Sequence, residues 1–190
     1  MEYAKTNDVV ANDLIVRPGS EESARAMGKF TFECYDKDGK LKWVEERKNL
    51  VVNVGLQNMA GVGLDGATTR YTTWYIGLYG AGASNTPAAS DTMSSHAGWT
   101  ENTTYSNATR PTATFAAATT ASPSVVTNSA SKASFNINGT TTVGGAFLTT
   151  DNTKGGTTGV LFSASDFTGG DRSVVNGDTL QVTYTFSLSA

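Results

Sequence analysis

His96 is the only histidine among 190 residues, and it stands in Ser94-Ser95-His96-Ala97-Gly98-Trp99-Thr100-Glu101, between hydroxyls and a carboxylate. A hydrolase triad can be drawn from this stretch, with Ser94 or Ser95 as nucleophile and Asp91 or Glu101 as the group that orients the imidazole. The local frame argues against that use. A nucleophilic serine of this kind is lifted out of the backbone on a sharp strand-to-helix turn, and no G-x-S-x-G sequence surrounds either serine. The expected role of His96 is a local hydrogen bond in a loop that helps to seat Trp99. Asp91, Glu101, Asp151, Asp166, Asp171 and Asp178 supply carboxylates from which a glycosidase pair could be chosen, but such a pair has to flank a bound sugar. Each of these acids lies in a turn-like stretch, where capping backbone N–H groups is the ordinary use of a carboxylate.

The remaining motifs fail on context. Gly61-Val62-Gly63-Leu64-Asp65-Gly66 matches G-x-G-x-x-G letter for letter. That fingerprint needs a strand before it and a helix after it, so that the helix N-terminus meets a pyrophosphate. Here a helical pattern precedes and an extended one follows, so a turn that ends a helix is expected. Lys154-Gly155-Gly156-Thr157-Thr158-Gly159 lacks the Gly-Lys-Ser/Thr ending of a phosphate loop and reads as a hairpin turn. One His and one Cys cannot complete a zinc shell, and Asp36-Lys37-Asp38-Gly39 lacks the other oxygen ligands of a calcium loop. No catalytic residue, cofactor or metal site is expected.

Cys34 alternates with Phe30 and Phe32, which predicts a buried structural thiol on an apolar strand face. Trp74, Tyr75, Tyr79, Trp99 and Tyr105 could line a sugar-stacking platform, yet large rings dominate the burial of small β domains and core packing is the stronger expectation. Three glycosylation sequons begin at Asn102, Asn107 and Asn138. They carry little meaning here, because Met1 to Val10 contains Glu2, Lys5 and Asp8 and no apolar run of signal-peptide length.

The elements that would position these residues follow from the distribution of charge. Residues 1–50 hold nineteen of the thirty-one charged side chains, and residues 51–190 hold the other twelve. From about Trp74 onward, Thr, Ser, Ala, Gly and Asn interleave with short apolar runs, a composition of strands and turns. Net charge is −3, without the clustered Lys and Arg that phosphate neutralisation demands, so nucleic acid is not an expected partner. No apolar run approaches the length of a membrane span, and a product made in the cytoplasm is expected.

Residues 1–27 read as an N-terminal arm with short apolar patches at Val9-Val10-Ala11 and Leu14-Ile15-Val16, and with a turn or two of helix possible over Ser20–Met27. Residues 28–190 read as one domain. Within it, Phe30–Tyr35, the Asp36–Gly39 turn and Leu41–Glu45 form a β-hairpin, with Leu41 and Trp43 on the face of Phe30 and Phe32. A short helix is expected within Asn49–Met59, weakened by Gly55 and the valines. Further strands are expected at Trp74–Tyr79, Thr112–Ala117, Ala133–Asn138, Val143–Thr149, Val160–Ala164 and Leu180–Leu188, and in the last of these apolar and polar residues alternate throughout. The low-complexity tract Ala116–Ser131 reads as a surface loop. The fold class is mainly β, a jelly roll or related antiparallel β-sandwich with an arm, a hairpin and one short helix.

A set of phrases gives the chain a recognisable likeness: Asp91 to Glu101, Tyr105 to Pro111, Asn128 to Lys132, Val143 to Leu148, Lys154 to Gly159 and Asp171 to Leu180. In combination they resemble the capsid cement, or head decoration, proteins of short-tailed bacteriophages, and the hairpin with Asn49-Leu50-Val51-Val52-Asn53 resembles the same group. The likeness runs from about Gly28 to the end. It implies a jelly roll on the exterior of a virion capsid that clamps neighbouring copies of the major capsid protein. It implies no enzyme activity. A homo-oligomer, dimer or trimer, is expected, with Leu14, Ile15, Val16 and Trp43 as partner contacts. A tail-fibre or receptor-binding β domain is the alternative reading, and a carbohydrate-active enzyme a more distant one.

Overall fold

The computed structural model describes residues 24–80, 86–167 and 169–189. Most of the expected arm, with Leu14, Ile15 and Val16, lies outside the described residues.

Strand β1 (Arg25–Tyr35) turns back into β2 (Leu41–Lys48). Alternation sends Phe30, Phe32 and Cys34 into the core and leaves Lys29, Thr31 and Glu33 on the other face. Asp36 closes the turn by accepting from the backbone N–H groups of Asp38 and Lys40 at 3.0 and 2.9 Å, and Gly39 takes φ +79°. Arg25, Ala26 and Met27 belong to β1, where the sequence predicts a helical turn and the end of the arm. They pair with Ser189, Leu188 and Ser187, and such a ladder is available to three residues that could not sustain a helix alone. A register shift at Cys34/Tyr35 separates Leu41 from the inner face, so Leu41 is exposed while Trp43 packs on the core.

Next come β3 (Leu50–Val51) and helix α1 (Asn53–Leu64). The helix starts later than expected because Leu50 and Val51 pair with Ala164 and Ser163. Two of its three glycines, Gly55 and Gly61, are required by packing. A Cβ at Gly55 would lie 2.2 Å from the Phe162 carbonyl oxygen, and one at Gly61 would lie 2.1 Å from the Thr68 hydroxyl. Beyond Leu64, Asp65 accepts from the N–H groups of Ala67 and Thr68 at 2.8 Å each, and Gly66 has φ +65°. The Gly61–Gly66 stretch therefore ends a helix, as its context predicts.

The chain continues through β4 (Trp74–Tyr79), β5 (Glu101–Asn102), β6 (Thr112–Ala113), β7 (Ser124–Thr127), β8 (Ala133–Asn136), β9 (Thr141–Val143), β10 (Gly145–Thr149), β11 (Leu161–Asp166), β12 (Arg172–Val174) and β13 (Thr179–Ser189). One antiparallel sheet runs β2-β1-β13-β7, with β8 also on β13; the second runs β3-β11-β10-β4-β5, with β6 on β4; β9 and β12 pair separately. The tract expected to be a loop thus contains a strand. Val125 and Val126 of β7 find Ser187 and Phe186 of β13 as partners, and this non-local ladder overrides weak local composition.

The two sheets pack as an antiparallel sandwich. Phe30, Phe32, Leu180, Val182 and Tyr184 of the first sheet share a core with Ile76, Leu78, Ala146, Leu148 and Phe162 of the second. Each large apolar side chain among them contributes about 1.5–3 kcal/mol by leaving water. The opposite face of the second sheet is also covered: Tyr79, Phe147, Leu161 and Ala164 join Val52, Met93 and Trp99 in a second core. Burial on both faces explains why all five residues of β10 are buried, whereas β13 alternates with Gln181 and Thr183 facing outward.

Candidate docking surface

His96, Asp91 and Glu101 each make local contacts that hold neighbouring loops together. His96 Nδ1 lies 2.8 Å from the Trp99 carbonyl oxygen, and its ring stacks on the indole at 3.8 Å. Trp99 in turn stacks on Tyr79 at 5.0 Å and donates from its indole N–H to Asp91 at 2.9 Å. Asp91 also accepts from the backbone N–H of Ala88. The imidazole serves to seat Trp99 against the second core, as the sequence predicts. Ser94 and Ser95 do not complete a triad: the Ser94 hydroxyl lies 3.2 Å from that of Thr92, and the Ser95 N–H donates to the Thr92 hydroxyl.

Glu101 has a partner that the sequence reading missed. Arg110 donates to it from Nε at 2.9 Å and from Nη2 at 2.6 Å, with the arginine side chain wholly buried. The same guanidinium donates to the carbonyls of Asp151 and Gly156, and Glu101 accepts from the N–H of Gly155. These bonds tie the loop after β5 to the β10–β11 hairpin. Lys154 adds a second tie, donating to the carbonyls of Tyr105 and Asn107 at 2.9 Å each. Asp151 accepts from the N–H of Thr153 and from Thr158, and that backbone bond comes first among the contacts that hold its pKa below the ordinary value. No sequence signal marks Arg110, because the pair joins two loops and has no helical or strand spacing.

Two sequon amides are also engaged: Asn102 donates to the Thr142 carbonyl at 2.8 Å and Asn107 to that of Ser134 at 3.0 Å. Cys34 is fully buried, as expected, and desolvation pushes its thiol up to about 11, so it is protonated and unreactive at neutral pH. Its neighbour Asp178 accepts from Lys42 at 2.5 Å and from the N–H of Val175. Among the described residues no group of three or more His, Cys, Asp and Glu could hold a metal ion. Of the five aromatic candidates, Tyr79, Trp99 and Tyr105 are buried in the core, while Trp74 and Tyr75 are half-buried.

Apolar surface remains at specific places. Trp43 is half-buried, its ring edge-on to Phe167 at 6.3 Å, so much of its area already serves the core. The larger feature is α1. Its buried residues are Gly55, Asn58 and Gly61, and Leu56, Ala60 and Leu64 form an exposed ridge at i, i+4 and i+8. Leu64 is 91% exposed and Leu56 41%. The twelve residues of α1 contain no charged side chain. A helix that turns glycine inward and leucine outward reverses the usual amphipathic order. Sequence reasoning missed this ridge, although the coincidence of Gly55 and Gly61 with Leu56 and Leu64 in an uncharged segment was its signal.

No helix among the described residues is long and apolar enough to cross a membrane. Compared with known protein families, curated proteins and solved structures, the chain matches none.

Proposed function

We propose that this chain is a structural virion protein that binds the outer face of a phage head and clamps neighbouring major capsid subunits. The phrases between Asp91 and Leu180 that resemble head decoration proteins support this reading. The observation that carries it structurally is the uncharged ridge Leu56–Ala60–Leu64, presented on a helix fixed by glycine contact to β11. The ridge is a binding surface held rigid before its partner arrives.

Docking such a surface has a favourable balance. A leucine moved from water into a partner's pocket contributes about 1.5–3 kcal/mol, and a pre-ordered helix loses little conformational freedom. Specific interfaces bury about 1,200–2,000 Å², so the ridge supplies the centre of a patch and flanking polar residues the rim. In a homo-oligomer, dimer or trimer, each further contact forms at high effective concentration, and modest single contacts add to durable attachment across a capsid seam.

Cosedimentation with heads of the phage that encodes the chain tests the proposal. The wild-type chain pellets with heads, and the folded Leu56→Asp/Leu64→Asp variant stays in the supernatant. Failure of the wild-type chain to pellet contradicts the function. Equal pelleting of both chains contradicts the ridge as the contact.

A further inference from the structure

We propose that an aromatic pocket at the open end of the sandwich is the seat of the chain's own Leu14-Ile15-Val16. The pocket has a volume of about 230 Å³ and is lined by Trp74, Phe115, Val126, Phe162, Tyr184 and Phe186, with Leu148 at its base. A bulge in β11 opposite Leu148/Thr149 helps to form it, because a bulge re-aims the side chains beside it. Phe162 faces the first sheet. So does Ser163, whose hydroxyl lies 3.2 Å from that of Tyr184. Phe162 meets Trp74 and Phe186 edge-on, each at 5.4 Å.

The lining selects an apolar occupant. Its side-chain polar groups are the Trp74 indole N–H and the Tyr184 hydroxyl, and the hydroxyl is already bonded to Asn49 at 2.9 Å and to Ser163. A buried water needs two to four polar partners, more than the indole alone offers, and a dry cavity of about 150 Å³ already holds benzene. This larger pocket has room for one branched aliphatic side chain with a second at its mouth.

The position of the pocket identifies the source. Gly28, Phe186 and Val126 stand abreast across the first sheet, so β1 begins beside the pocket wall. Ala26 and Leu188 lie one inward-facing step farther out along the strands. Leu188 remains 37% exposed on this rim. Ala24, the first described residue, therefore stands four residues outward from Gly28 along the strand direction that leads away from the pocket wall. Val16 precedes Arg25 by nine residues, a reach of about 30 Å when extended. Pro18-Gly19 between them suits a reversal of direction. Of the two apolar clusters in that segment, Leu14-Ile15-Val16 is the nearer and bulkier. Closing so short a loop has a small entropy cost, which the burial of branched side chains in an apolar cavity outweighs. Leu14–Val16 thereby gain an intramolecular seat in place of the shell contact expected from the sequence.

Methyl NMR on the full chain tests this independently of any capsid. Nuclear Overhauser contacts are expected from the methyl groups of Leu14, Ile15 and Val16 to the rings of Trp74 and Phe186, within one chain in samples mixed from labelled and unlabelled protein. Replacing all three residues with serine should shift the Trp74 and Phe186 signals and leave Trp99, in the other core, in place. In a chain whose exposed ridge is removed by Leu56→Asp and Leu64→Asp, the same replacement should also create a site for a fluorescent apolar dye that the chain with Leu14–Val16 intact does not bind. Absence of the contacts, contacts only between chains, unshifted Trp74 signals, or equal dye binding by both proteins each overturns the proposal.

Discussion

Arg110 and Glu101 form a forked pair with two hydrogen bonds, 2.9 and 2.6 Å long, inside the loop cluster at one end of the second sheet. The guanidinium also lies 5.1 Å from the ring centroid of Phe147. Removing one partner strands the other charge in a nearly dry site, where water cannot replace the lost bonds. Arg110→Met should therefore cost about 3–5 kcal/mol in urea denaturation, and adding Glu101→Leu should restore part of that loss. A double variant less stable than the single one by the full cost of a second deletion would show that the two residues act independently.

Gly77 and Phe147 make a second tight relationship, across β4 and β10. A Cβ at Gly77 would stand 2.1 Å from Cζ of the Phe147 ring, which is itself buried between the second sheet and Trp99. Gly77→Ala should destabilise the fold by about 1–3 kcal/mol through overpacking. Phe147→Leu in the same chain should recover some of it. Unchanged stability in Gly77→Ala would mean that the ring has room to move.

Acid should weaken the fold in a defined window. Hydrogen bonding to Lys132 lowers the pKa of Glu33, bonding to Lys29 lowers that of Glu46, and bonding to Thr68 lowers that of Asp65. Each folded-state pKa lies below its unfolded value, so each contribution is complete above the ordinary carboxylate range and is lost as pH falls through the folded value. Asp166 has the opposite sign, because burial raises its pKa and favours its neutral form. Urea midpoints should decrease as the pH drops from about 5 to about 3, and Glu33→Gln should flatten the slope. A midpoint that rises over this interval would contradict the assignment.

The thiol of Cys34 offers a chemical probe of the core. With a pKa of about 11 and no exposure, it should resist iodoacetamide at pH 8 and react only when the chain is unfolded in urea. Rapid labelling of the native protein would place Cys34 outside the core described above.

The sequence carried the parts of the fold that local periodicity determines. Trp74–Tyr79 is a strand with the bounds its residues predict, and the alternation of Leu180 to Leu188 makes the central strand β13. What it did not carry depends on partners distant along the chain. Leu50 and Val51 leave the expected helix to pair with β11, and Arg25–Met27 become strand because β13 extends to meet them. For the exposed ridge of α1, glycine weakens an isolated helix, yet Gly55 is the residue that lets α1 approach the Phe162 backbone and Gly61 the one that admits Thr68, so a propensity argument took their sign from the wrong environment. Arg110 was invisible because its meaning lies in Glu101 and two carbonyls reached through folding.

Mass-spectrometric copy number in purified virions tests the central claim most directly. A protein that clamps shell subunits from outside should be present in numbers comparable with the major capsid protein and should leave the particle when the shell is stripped of its exterior proteins. Its absence from virions, or a few copies that copurify with the tail, would contradict the account.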